Sequence, residues 1–121
     1  MKDLYTKFVE QCMKLIKEDD EYLDKKRIRQ NNRAGKKLVD LRKEIMEANC
    51  PEILERLLLH DDIRVQLYAA IFCLDENVYF DKALQVLKDL TKLKPGFFRF
   101  NAEMAIKTRV TEKERWGFKN T

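Results

Sequence analysis

An all-α protein of one domain is what this sequence predicts, and three observations predict it. Apolar residues recur every three to four positions through most of the chain. Turn-forming residues are scarce, with 3 Gly and 2 Pro among 121 residues. Hydrophobic content of 45% beside 38% charged residues is too apolar for disorder and, with so few turn formers, unlike an all-β protein. A chain of this length forms a single unit over residues 1–121 and buries a core without cross-links.

The first helix is expected from Leu4, Phe8, Cys12 and Leu15, with Tyr5, Val9 and Ile16 beside them, stopping near the acidic run Glu18 to Glu21. A second begins near Tyr22 and becomes regular through Ala34, Leu38, Leu41, Ile45 and Ala48. Gly35 weakens it and marks a possible bend. Cys50-Pro51 ends it, because a residue before proline avoids the α region and proline suits the first turn of the next helix.

The third helix, Pro51 to Leu59, turns Ile53, Leu54, Leu57 and Leu58 inward. Asp61 or Asp62 then caps a fourth helix running to about Leu74, whose residues Val65 to Leu74 leave almost no polar face, so neighbours cover it on most sides. After a loop at Asp75 to Asn77, a fifth helix carries Phe80, Ala83, Leu84, Leu87 and Leu90. Lys94-Pro95-Gly96 breaks the chain before a sixth with Phe98, Ala102, Ala105, Ile106 and Val110. The tail from Thr111 to Thr121 is polar apart from Trp116 and Phe118 and is expected to be loosely held. Two tandem two-helix units, LLLHDDIRVQLYAAIFCL and ALQVLKDLTKLKPGFFRFNAEMAI, therefore follow one another, an arrangement commonest in proteins that bind.

Cys12, Cys50 and Cys73 are an odd set without CxxC spacing and with only His60 as a nitrogen partner. Free thiols in a reducing compartment are the expectation, with no metal site and no cofactor. The charged N-terminus lacks the apolar core of a signal peptide, and no segment approaches the ~20 apolar residues of a membrane span. A cytoplasmic location follows as an expectation.

His60, Asp62, Val65, Ala69 and Ala70 form His-x-Asp-x-x-Val-x-x-x-Ala-Ala, which resembles the HEAT-repeat signature. With Pro95-Gly96 and the run Phe98 to Met104, the chain is similar to a small bacterial family of single-domain HEAT-like proteins over roughly residues 20–112. Some members resemble immunity proteins of polymorphic and contact-dependent toxin systems. The resemblance implies a HEAT/armadillo-like right-handed stack of about five or six antiparallel helices, and a cognate toxin domain as partner, a nuclease among the candidates. It departs from the pattern at Gln66, where arginine usually follows the valine.

Catalytic signatures are absent: there is no Gly-rich loop, HExxH or meaningful carboxylate pair, and only one histidine. His60 beside Asp61 and Asp62 suits a helix end and its caps better than a metal or a general base. Glu103 and Glu112 read as solvated charges. No enzymatic role and no small-molecule ligand are expected.

Charge is unevenly distributed. Between Asp24 and Lys43 stand nine cations, Lys25, Lys26, Arg27, Arg29, Arg33, Lys36, Lys37, Arg42 and Lys43, against Asp24 and Asp40. The chain as a whole carries only +4, so the remainder is mildly acidic. Arg29, Arg33, Lys36, Lys37 and Asp40 share one side of a helix, opposite the apolar stripe. Such a ridge serves an ordinary solvated face, an acidic protein partner or phosphates. Only Tyr22 offers an aromatic ring nearby, which disfavours single-strand stacking.

Phe97, Phe98 and Phe100 cannot all turn inward from one helix, and a spare ring either anchors a partner or covers the tail through Trp116. The expected partner-binding residues are Arg29, Arg33, Lys36 and Lys37 on the second helix, Arg64 and Tyr68 on the fourth, and Phe97, Arg99 and Phe100 on the sixth. Binding a protein is the first expectation. Nucleic-acid binding through the basic ridge is the second. A third is an adaptor without inhibitory role.

Overall fold

The computed structural model describes residues 2–110, and its regular elements are helical throughout. Six α-helices follow in order: α1 (Leu4–Met13), α2 (Lys25–Glu47), α3 (Glu52–Leu58), α4 (Ile63–Glu76), α5 (Phe80–Leu90) and α6 (Phe97–Ala105). A 3-10 turn (Asp19–Leu23) precedes α2, and a π turn (Ile106–Val110) continues α6. The tail expected to be loose, with Trp116 and Phe118, lies outside the described residues, as does Glu112. No helix is long and apolar enough to cross a membrane.

Helix starts follow carboxylate capping. Asp3, Asp24 and Asp62 accept from the backbone N–H of Thr6, Lys26 and Arg64 at 2.7, 2.8 and 2.8 Å, each meeting a donor that the first helical turn leaves without an internal partner. Asp62, not Asp61, is therefore the cap of α4. Helices α2 and α4 end alike. Asn49 and Asn77 take the left-handed conformation at φ 55°, and the next residue's N–H returns to the carbonyl of Ile45 or Cys73. Asparagine tolerates this conformation better than most residues, which is why both helices stop there.

The core is built around α4. Val65, Leu67, Ala69, Ala70, Phe72, Cys73 and Leu74 are all buried, and α4 packs against α1, α3, α5 and α6. The fully buried alanines let neighbouring backbones come close. Phe8 of α1 meets the edge of Phe72 at 5.9 Å between centroids, and Leu38, Leu54 and Leu87 complete the centre. Burying each such side chain stabilises the fold by about 1.5–3 kcal/mol.

Two expectations are corrected here. The first helix ends at Met13, so Leu15 and Ile16 are buried outside any helix. Their backbone is held by three side chains: Asn31 accepts from the Ile16 N–H at 2.8 Å, and Arg27 and Arg64 donate to the Leu15 carbonyl. The second helix begins at Lys25, and the residues before it form the 3-10 turn, closed by Glu21 accepting from the N–H groups of Lys17 and Glu18. Gly35 lies within unbroken α2, where an added Cβ would sit 3.9 Å from the Tyr68 hydroxyl, while Ala48 is an exposed cap.

Candidate binding surface

Helix α2 sorts its nine-cation segment into two classes. Arg27 and Arg42 turn inward: Arg27 pairs with Glu21, while Arg42 lies over the Phe72 ring and reaches Asp75 and Glu76 at 3.4 and 3.3 Å. Asp75 also binds Arg109 at 2.6 Å, so the acids at the end of α4 are neutralised within the fold. The other seven, Lys25, Lys26, Arg29, Arg33, Lys36, Lys37 and Lys43, are exposed and make no ion pair among the described residues. Asp24 is engaged as the α2 cap, which leaves Asp40 as the acid standing among them.

The four α2 residues expected from the sequence, Arg29, Arg33, Lys36 and Lys37, thus stand together on an open face. Beside them the packing of α1 on α2 leaves a groove of about 400 Å³, lined by Gln11, Lys14, Lys26, Gln30, Arg33, Ala34 and Lys37. It contains four cations and no carboxylate. Farther along the same seam Glu10, Asp40 and Glu44 gather with Lys7 and Lys37, so the groove changes sign along its length. The side-chain oxygen of Gln11 is buried without a hydrogen-bond partner.

Lys14, Lys26, Gln11 and Gln30 were not among the expected site residues. Lys26, Arg33 and Lys37 share a helix face at spacings of seven and four, a signal present in the sequence. The contribution of α1 was hidden, because it depends on how α1 packs against α2.

The other expected anchors are placed differently. Arg64 is held inside: it pairs with Asp62 at 2.8 Å, donates to the carbonyls of Met13 and Leu15, and its side chain is only 13% exposed. The hydrogen bond from Arg64 holds the Asp62 carboxyl below the usual carboxylate range. Tyr68 is half-buried with its ring edge against Phe72, and burial raises its hydroxyl pKa. Phe97 packs between Tyr22 and Phe98. The reason is shared: each lies on a face that another element covers. Arg99 pairs with Glu103 at 2.9 Å. Phe100 is the ring of the triad left open, at 60% exposure, and a contact with Trp116 lies outside the described residues.

His60 lies beyond the end of α3, so a helix dipole does not account for it. Its Nδ1 accepts the Asp62 N–H at 3.0 Å, and Gln66 donates to its carbonyl at 2.6 Å, which closes the α3–α4 turn. Burial pushes the Cys73 thiol up to about 12 and raises that of Cys12 as well, so neither forms a thiolate readily. Among the described residues no group of three or more His, Cys, Asp or Glu comes together in a way that could hold a metal ion.

No family model, curated protein or solved structure matches this chain. Its residues make a strip of cations along α2 without ion pairs among the described residues, joined to a groove where three of them meet Lys14.

Proposed function

We propose that the chain is a HEAT-like binding protein whose working face is the basic strip of α2, and that its partner presents an acidic protein surface. The observation that carries this is the seven exposed cations of α2, gathered along one helix without an ion pair among the described residues. A stack of two-helix units is supported by the order of packing. Helices α3 with α4 and α5 with α6 form successive pairs, and α3 meets α5 while α4 meets α6, as stacked two-helix units require.

The concrete form suggested by the HEAT-like resemblance is an immunity protein that occludes a toxin domain. Arg29, Arg33, Lys36 and Lys37 would meet the partner's carboxylates, and opposite charge would speed encounter and fix orientation. Phe100 on α6 is a second contact available to such a partner.

A second reading, nucleic-acid binding, is favoured by the spacing of Arg29, Arg33 and Lys36, which sets cations on one line with no acid between them. Affinity capture with the tagged chain, with and without nuclease, separates the two. The protein reading predicts a stoichiometric partner that survives the nuclease, is lost with Arg29→Ala/Arg33→Ala/Lys36→Ala/Lys37→Ala, and is toxic when expressed without this chain. Loss of all captured material after nuclease rejects it in favour of phosphate binding.

A further inference from the structure

The groove between α1 and α2 is chemically distinct from the outer face of α2. Lys14, Lys26, Arg33 and Lys37 line one space of about 400 Å³, with no carboxylate to offset them. Four like charges in one concavity repel one another, and an anion relieves that repulsion. The carbonyls at the end of α1 that would oppose an anion are already engaged, since Arg27 and Arg64 donate to those of Met13, Lys14 and Leu15.

We propose that this groove is a binding site for a compact oligophosphate. Three lysines supply point charges tolerant of angle, and the Arg33 fork suits two oxygens at once. Gln30 accepts from Arg27 through its carbonyl oxygen, which directs its amino group to donate. Gln11 also lines the groove and buries its side-chain oxygen, so the amide end left open is the amino group, a donor.

Size and composition narrow the ligand further. Ala34 is the single apolar residue of the lining and no ring is present, so a base finds nothing to stack on and recognition is of charge alone. Glu10, Asp40 and Glu44 close one end with negative charge, which stops an extended polyanion from running along the seam. Two or three linked phosphates match four cations within a short span. A single phosphate reaches fewer of them. The site shares Arg33 and Lys37 with the proposed partner face, but it needs no protein partner to bind its anion.

Titration calorimetry of the full chain with tripolyphosphate at low salt tests it, beside inorganic phosphate and a mixed-sequence oligonucleotide. We expect one tripolyphosphate per chain, bound at least about tenfold more tightly than inorganic phosphate and weakened at least about tenfold by Lys14→Ala/Arg33→Ala. The Lys26→Ala/Lys37→Ala pair provides an independent groove variant. Arg29→Ala/Lys36→Ala removes the same charge outside the groove and is expected to weaken binding clearly less than either groove pair, with the difference widening as added salt screens the outer charges. No saturable binding, equal losses in groove and outer-face variants, or tighter oligonucleotide binding that depends on Arg29 and Lys36 would each overturn the proposal.

Discussion

Arg64 donates a hydrogen bond of 3.1 Å to the carbonyl of Leu15, 49 residues earlier in the chain. The same nitrogen also reaches the Met13 carbonyl at 3.2 Å, and Asp62 holds the guanidinium from its other side. Lys14 lies between those two carbonyls, so Arg64 fixes its backbone while leaving its amine at the groove. A residue expected to touch a partner instead positions one that lines the groove.

Arg64→Ala is expected to destabilise the fold by about 1–3 kcal/mol, because the Met13 carbonyl loses its side-chain donor, the Leu15 carbonyl keeps only Arg27 and the Asp62 carboxylate loses its guanidinium. Arg64→Lys restores little, since an ammonium lacks the planar fork. Denaturant unfolding checks both. A loss below about 0.5 kcal/mol for the alanine variant would contradict the assignment.

Asp62 gives this network a pH dependence. Its carboxyl is depressed in the folded state, chiefly by the Arg64 hydrogen bond, so its contribution is complete above the unfolded carboxylate value of about 3.9. That contribution is lost as pH falls through the lower folded value. Asp62→Asn keeps an acceptor for the cap but removes the charge. The stability gap between wild type and this variant is therefore expected to shrink below about pH 4 and to stay constant near neutrality, as measured by melts across pH.

Much of this fold was legible because its helices obey local rules. The apolar stripe of α2 and the uniformly apolar α4 both appear as spacing, and Asp62 as a cap precedes its helix in the expected place. Leu15 and Ile16 misled because they continue the spacing of α1, yet their backbone is held by side chains from α2 and α4 that no local pattern contains. The exposed cations at Arg29, Arg33, Lys36 and Lys37 followed from helix geometry alone. The inward turn of Arg64, Tyr68 and Phe97 depended on which face each neighbour covers, and so did the role of Lys14.

Gln11→Met is expected to stabilise the unliganded protein by about 1 kcal/mol, since it replaces a buried oxygen without a partner by an apolar group of similar length. Thermal unfolding reads the change. A destabilisation of that size would mean that the Gln11 amide is fully satisfied in solution.

Asn49 ends α2 at φ 55°, where glycine is relaxed and a β-branched residue is strained. Asn49→Gly is expected to be neutral or stabilising by a few tenths of a kcal/mol, whereas Asn49→Val costs about 1–2 kcal/mol. Equal stabilities for the two variants, measured in denaturant, would argue against the left-handed cap.

The central claim is that binding resides on the open basic face of α2 and that this face contributes little to folding. The most direct measurement compares Arg29→Ala/Arg33→Ala/Lys36→Ala/Lys37→Ala with wild type for thermal stability and for capture of the partner. Exposed charges without ion pairs contribute within about 0.5 kcal/mol each, so the variant should melt close to wild type or slightly above it as self-repulsion falls. Capture should be lost. A variant that melts like wild type and still retains its partner would contradict the account.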